Sequence, residues 1–230
     1  MIELDGRHLA LADIVAVARR REPARLADEA RERVRASQLY AEEVAARRPI
    51  YGRSTGVGGN RDLILADPAS QAHQLLRSHA TSSGARRSEE RVRAMLLIRL
   101  NQLAADGNGI DPELLDALAA MLALDALPPV REGGSIGTAD LAALATTALA
   151  LVGEIPTAPA LESTADFGAG DALTFMSSNA AVLADAALAV ADLDRLARAA
   201  PVIAALGFAA VRGNKEAFDP AVELATPFPG

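Results

Sequence analysis

Apolar positions recur every three to four residues through most of this chain, with charged residues between them. That is the period of helices with one buried face. A short strand is predicted at Ile2 and Leu4, followed by a helix entered between Ala10 and Asp13. Residues 23–47 continue at helical spacing, and Pro23 suits a first helical turn. The period then breaks. Residues 48–62, RPIYGRSTGVGGNRD, hold Gly52, Gly56, Gly58 and Gly59 among small polar residues and predict a loop. Helices are predicted again over about 68–78, 88–105 and 112–123, the middle one opened by Ser88 followed by Glu89 and Glu90. Residues 128–137, PPVREGGSIG, form a second loop, after which Thr138 caps a helix over 140–152. The Pro-, Thr- and Gly-rich stretch 153–170 predicts a flexible connection or lid. Residues 171–212 predict one or two long helices broken near Pro201. No period of solenoid length recurs. The pattern predicts a mostly α protein.

Composition narrows the choices. Half of the 230 residues are hydrophobic but only 3% are aromatic, so the core is built of Ala, Leu and Val, which suits closely packed helices. Cysteine is absent, which removes disulfides, thiolate metal sites and cysteine nucleophiles together. The histidines are His8, His73 and His79, too few for a histidine-rich metal site. A net charge of −7 argues against nucleic acid as a partner. The arginine runs are interleaved with glutamate, as in Arg86-Arg87-Ser88-Glu89-Glu90-Arg91, and read as solvated helix faces. The first residues lack a basic segment followed by an apolar run. The Ala/Leu-rich stretch over 180–202 is interrupted by Asp185, Asp192, Asp194, Arg195 and Arg198. The expectation is a cytoplasmic protein with no membrane partner.

Two glycine loops in a helical protein can be tight turns and nothing more. Neither fits a phosphate-binding signature: there is no GxxxxGK[ST], and Gly52-x-x-x-Gly56-x-Gly58 is not followed by a βαβ unit. Their neighbours give them meaning. Tyr51-Gly52-Arg53-Ser54-Thr55-Gly56-Val57-Gly58 resembles the YGxxTGFG loop of the histidine, phenylalanine and tyrosine ammonia-lyases and the related aminomutases. Leu75-Leu76-Arg77-Ser78-His79-Ala80 resembles that family's NLLRSHA segment, with Gln74 in place of Asn. The stretch from Arg93 to Asn101 resembles its RAxMLLRAN helix, and Gly109-Ile110 its SGI turn. Gly134-Ser135-Ile136-Gly137-Thr138-Ala139-Asp140-Leu141-Ala142 faces GSVGASGDLAPL. The segment from Leu206 to Gly213, with Phe218-Asp219-Pro220 and Pro229-Gly230, resembles LEALRGSxxAFDP…HPG. These segments stand in family order over nearly the whole chain.

The resemblance implies the N-terminal part of the ammonia-lyase helical fold, with a minor β element near the N-terminus. It implies a lyase-like domain over residues 1–170 that carries the active-site loops. Residues 171–230 would begin the central long-helix bundle, completed by another chain. By the same resemblance Tyr51 occupies the place of the catalytic base and His79 lines the substrate's side-chain pocket. An ordinary tyrosine titrates near ~10 and is a poor base at neutral pH. Cations and backbone N–H groups that stabilise phenolate would make it useful, and the glycines after Tyr51, Gly58 among them, could bring such groups close. Ser135 and Gly137 would present backbone donors at a helix start. Arg77 and Arg99 read as structural, pairing with carboxylates or helix ends.

The family's electrophile is a methylidene-imidazolone made from Ala-Ser-Gly. The glycine amide attacks the alanine carbonyl, and the serine loses water to leave an exocyclic methylene. In this sequence two registers are open. Anchoring on Gly134-Ser135-Ile136-Gly137 leaves one residue too few before Asp140. Anchoring on Asp140-Leu141 places Gly137-Thr138-Ala139 opposite the triad. There Ala139 hinders the amide and Thr138 would give a methyl-substituted alkene, so no prosthetic group is expected. The Asn of the family's NGT, which supports the electrophile, has Asn179 as its nearest counterpart.

The leading expectation is a lyase- or cyclase-type enzyme subunit without the methylidene-imidazolone. Tyr51 would be its acid/base, with Thr138 in the catalytic loop. His79, Gly58, Asn179 and Ser135 would contact a small aromatic or unsaturated substrate, and no metal is expected. Two alternatives stay open: a true aromatic amino acid ammonia-lyase or aminomutase with an electrophile made from Gly137-Thr138-Ala139, and a non-catalytic scaffold subunit of a split lyase. A second polypeptide is expected to supply the C-terminal half, giving a hetero-oligomer with lyase-like symmetry.

Overall fold

A computed structural model of the chain describes residues 1–135, 139–162 and 165–225. Strand β1 (Ile2–Leu4) leads into helix α1 (Leu11–Arg20), where the Asp13 carboxylate reaches back to accept from the Ala10 N–H at 3.1 Å. The sequence predicts a helix from Pro23 onward. Instead β2 (Ala24–Leu26) pairs in parallel with β1, Leu4 opposite Leu26, and α2 runs only from Asp28 to Ala45. An unpaired strand at the N-terminus would leave its backbone donors and acceptors unmatched, and residues 24–26 are the segment that matches them.

Helix α3 (Pro68–His79) starts with Asp67 accepting from the Ser70 N–H and Pro68 in the first turn. Helix α5 (Pro112–Ala123) repeats the device: Asp111 accepts from the Glu113 N–H at 2.8 Å. Between them β3 (Ser83–Arg86) precedes α4 (Glu89–Leu103), which begins directly after Ser88 as expected. Part of the second loop is a strand. β4 (Arg131–Gly133) pairs antiparallel with β3 across a register shift, with Ser83 opposite Gly133 and Arg86 opposite Arg131, a pairing distant in sequence that local pattern does not reveal.

Two helices form the centre. Every residue of α4 from Val92 to Leu100 is buried, as is every residue of α6 (Leu141–Leu151) after its first. α4 packs on α1 and α5, while α6 packs on α3 and on α7 (Asp171–Met176). A helix buried on all sides has to hide its polar groups. Thr146 and Thr147 do so by donating to the carbonyls of Ala142 and Ala143. Arg93 pairs with Asp125 and Glu89 and donates to the Ala18 carbonyl. Burial pushes the Arg99 guanidinium down to about 9. It donates to the carbonyls of Thr174 and Phe175 at the C-terminal end of α7, and to Gln102. Its role is thus to satisfy a helix end.

The compact unit runs from Met1 to Leu188, and residues 189–230 form a second unit. Helix α8 (Ala180–Ala210) continues through Pro201, where a break is predicted, because the ring removes one N–H and the chain on either side remains Ala- and Leu-rich. Residues 171–210 are long and apolar enough to cross a membrane by length and composition alone, a test that a core helix of a soluble protein also passes. Within that stretch Asp185 pairs with Arg87 at 3.0 Å and with Arg91 at 2.7 Å. In the second unit Val190, Leu193, Leu196, Val202, Ile203 and Leu206 are all exposed. Phe208 and Phe218 meet edge to face, and α9 (Pro220–Ala225) follows.

Candidate active site

The Tyr51 loop is folded by its own backbone. The Ile50 carbonyl accepts from the N–H groups of Arg53, Ser54 and Thr55, and the Ser54 hydroxyl accepts from the Ile50 N–H at 2.8 Å. Gly56 N–H donates to Leu63 and Leu65 N–H to Ser54, which closes the remainder into a flap anchored by buried Thr55. Gly52 (φ +71°) lets the chain turn against α7. A Cβ there would lie 2.2 Å from Leu173 Cδ2. Gly58 (φ +57°) turns the chain back, and its N–H donates to the Tyr51 phenol oxygen at 2.9 Å. The backbone donor expected for Tyr51 is therefore in place. Tyr51 itself is half exposed at the edge of a cleft of about 320 Å³.

His79 ends α3. Its Nδ1 lies 2.9 Å from the Leu75 carbonyl and 3.0 Å from the Ser78 hydroxyl. Donation from Nδ1–H to the carbonyl fixes the tautomer that leaves Nε2 as an acceptor. Ser82 and Gly134, each directly outside the end of a strand, connect that end of α3 with the second loop: a Cβ on Gly134 would stand 3.3 Å from Ser82.

Ser135 is exposed and donates its hydroxyl to the Ala139 carbonyl at 3.2 Å. Gly137 and Thr138 lie outside the described residues, so the expected Thr138 cap does too. The helix after them begins at Leu141 with Asp140 in the capping position. The Asp140 carboxylate does not cap that helix. It accepts from the Val182 N–H at 2.9 Å, at the start of α8, while the Asp140 N–H donates to Ser178. Asn179 stands directly before α8, where its side-chain oxygen is 3.5 Å from Gln102 Nε2. Gln102 also accepts from Ser178 and Arg99.

The structure brings Tyr51 and Gly58 together through one hydrogen bond, and joins neither of them to His79, Ser135 or Asn179 in this way among the described residues. Tyr51 and Gly58 lie at the Leu173 side. Ser135 and Asn179 flank the point where the 134–140 segment meets residues 178–179, joined by the Asp140 N–H to the Ser178 carbonyl.

Two residues at this site escape a motif reading. Arg53, inside the Tyr51 loop, donates to the Gly109 carbonyl and lies against Gly170, pinning the loop to the start of α7. Asp171 is buried and accepts from the N–H groups of Asp111 (3.2 Å) and Gly168 (2.9 Å). Their signal was weak but present: a bulky cation within a glycine-rich loop, and an acid directly after Gly168-x-Gly170. Burial pushes the Asp171 carboxyl up to about 6, against the opposing pull of Arg53 and the two backbone donors. Its folded-state value thus exceeds the unfolded one, and the stability it contributes is full below about 4 and is lost as pH rises through 6. In urea melts, the wild type should gain up to about 3 kcal/mol relative to Asp171→Asn as pH falls from 7 to 4. A difference independent of pH would mean that the carboxyl is solvated.

The methylidene-imidazolone can be tested against these residues. Ala139 is the one member of the Gly137-Thr138-Ala139 triad among the described residues. Its carbonyl is held by Ser135 and the peptide after it by Ser178. Ring closure would need its nitrogen to attack past an adjacent Cβ that glycine lacks. The Ala139 methyl opposes that ring closure.

The chain belongs to the aromatic amino acid lyase family, whose profile matches residues 9–230. It is 35% identical to the histidine ammonia-lyase of Sorangium cellulosum over 98% of this chain and 48% of that protein. With the histidine ammonia-lyase of Gloeobacter violaceus it shares 37% identity over 99% and 48%. Among solved structures it matches the phenylalanine aminomutase of Pantoea agglomerans, with TM-score 0.89 and 26% identity over 99% of this chain and 47% of that one. The ergothionase of Treponema denticola, an ergothioneine-degrading enzyme, matches with TM-score 0.80 and 30% identity over 85% and 42%. The chain spans about half the length of the curated relatives it matches.

Proposed function

We propose that this chain is the Tyr51-bearing part of a lyase- or cyclase-type enzyme that works without a methylidene-imidazolone. The observation that carries this reading is the Tyr51 phenol oxygen, held at 2.9 Å by the Gly58 N–H at the mouth of a cleft. A backbone donor aimed at the oxygen that must carry charge is what proton abstraction requires. His79, with Nε2 free to accept, orients the substrate. Asn179 and Ser135 supply further polar contacts. Ammonia is a poor leaving group from an unactivated amino acid, so the substrate is a small aromatic or unsaturated molecule whose reacting carbon is already acidified. An intramolecular cyclisation or isomerisation would need the least help.

A second reading, ordinary ammonia-lyase chemistry with an electrophile built from Gly137-Thr138-Ala139, is favoured by the identity to histidine ammonia-lyases. Intact-mass measurement separates the two. We expect the unmodified mass; a chain lighter by two waters would establish cyclisation and overturn the electrophile-free reading. Tyr51→Phe then separates catalysis from a purely scaffolding role.

The cytoplasmic protein envisaged here is completed by a second polypeptide. Support comes from the exposed Leu193, Leu196, Ile203 and Leu206 of α8, a contiguous apolar face that an isolated soluble chain rarely presents. Sedimentation should show this chain self-associating or aggregating alone and reaching a defined assembly only with its complement. A monodisperse, fully active preparation of this chain alone would refute the idea.

A further inference from the structure

We propose that Arg53 is the positioning residue for Tyr51, a latch that fixes where the phenol stands by clipping its loop into a slot between Gly109 and Gly170. This deepens, and rests on, the reading of Tyr51 as acid/base. The YGxxTGFG pattern does not ask for a cation here, since Arg53 fills one of its two variable positions. Tyr51, Arg53, Gly109 and Gly170 line one cleft of about 320 Å³.

Three observations carry the assignment. First, the slot is built to the side chain. Gly170 has φ +84°, and a Cβ there would stand 2.8 Å from Arg53 Nε, 2.9 Å from its Cβ and 3.0 Å from its Cγ. The arginine stem therefore lies on the Gly170 backbone at a distance that only glycine allows. Gly109 closes the far end at φ +67°: its carbonyl accepts from Arg53 Nη2, and a Cβ on it would meet Ala41 at 2.7 Å. Second, the acceptor is itself anchored. The Gly109 N–H donates to Ser37 Oγ of α2 at 3.1 Å. The Asn108 amide donates to the carbonyls of Leu103 and Ala105, both at 2.7 Å, and accepts from the Ile110 N–H. A hydrogen bond to that turn refers the loop to α2 and to the end of α4. Third, the slot carries an anion. The buried Asp171 carboxylate is pulled by the Arg53 charge and accepts from the N–H of Asp111, two residues beyond Gly109. A guanidinium bonded to a carbonyl and drawn by a carboxylate is a charge-assisted anchor whose planar head gives direction as well as strength. Tyr51 lies two residues before Arg53, and the Ile50 carbonyl accepts from the Arg53 N–H at 3.1 Å, so the latch acts on the turn that carries the phenol. Gly58 orients the oxygen, whereas Arg53 places the loop. Arg53 touches no reacting atom in this scheme and works through Tyr51.

The test uses the assembled protein, with this chain labelled by 3-fluorotyrosine and carrying Tyr40→Phe, so that Tyr51 is its one fluorinated residue. Arg53→Met keeps the length of the stem and removes the donor. Its Tyr51 fluorine resonance should shift or split, and hydrogen exchange of the amides over 50–57 should rise about 10–100-fold, the worth of one charge-assisted hydrogen bond. Arg53→Lys, which retains a donor and the charge, should return part of both. Gly170→Ala, which intrudes on the slot without changing Arg53, should move the same resonance. A purely structural arginine would lower the melting midpoint and leave the resonance of the folded protein in place. An unmoved resonance with unmoved exchange in Arg53→Met, or a lysine variant no closer to wild type than methionine, overturns the proposal. Should Arg53→Met not fold, Gly170→Ala decides, and an unmoved resonance there overturns it. Turnover of Tyr51→Phe keeps the two ideas apart. If that variant is dead and the Arg53→Met resonance does not move, the acid/base reading stands and the latch fails. If it stays active while the resonance moves, the latch stands as a loop anchor and the acid/base reading fails.

Discussion

Changing Tyr51 to phenylalanine is expected to lower kcat of the assembled enzyme by about 10²–10⁴-fold, the usual worth of a positioned acid/base. The fold should survive. The ring is half exposed, the hydroxyl's hydrogen-bond partner among the described residues is the Gly58 N–H, and that N–H lies in an exposed turn where water replaces the lost oxygen. The thermal midpoint should therefore stay within the scatter of ordinary surface substitutions. Steady-state kinetics beside a melting curve checks both halves. Unchanged turnover would remove Tyr51 from the chemistry and favour a scaffolding role. A collapse of the melting curve would show instead that the phenol is a structural anchor.

Gly52→Ala is expected to damage both stability and turnover, for a reason visible at one contact. The residue sits at φ +71°, which costs a side-chain-bearing residue about 1–2 kcal/mol, and the new Cβ would meet Leu173 Cδ2 at 2.2 Å. The Leu173 side chain has to move, or the loop has to lift from α7, and overpacking of that kind adds about 1–3 kcal/mol. A total loss of about 2–5 kcal/mol in a urea melt follows. Lifting the loop also displaces the neighbouring Tyr51, and a displacement near 1 Å is enough to lower kcat about 10²-fold. The double variant with Leu173→Ala separates the causes. It should recover the steric part and part of the activity, while the backbone part remains. If Gly52→Ala melts and turns over like wild type, the loop does not depend on this contact.

Much of the fold follows from periodicity. The spacing in α4, α5 and α6, the proline and aspartate starts of α3 and α5, and the strand at Ile2 and Leu4 are local properties, and they appear as the sequence predicts. The pairings are not local. β2 forms because β1 needs a partner, and β4 forms because β3 lies alongside it, so both read as helix or loop until the chain is folded. Pro201 shows the converse: a strong local breaker is carried within α8.

The site divides along the same line. By itself the sequence determined the glycine-rich Tyr51 loop, the family to which it belongs and the Thr138-Ala139 departure, because these are matters of residue type and order. Only the tertiary structure decided that Gly58 donates to Tyr51, that Asp140 caps α8 instead of its own helix, that Asp171 is buried, and that Arg53 ties the Tyr51 loop to Gly109. Each depends on chain segments far apart in sequence, or on a glycine turn reversing the backbone. Burial, hydrogen-bond partner and ligand access are set by those approaches and not by the residues alone.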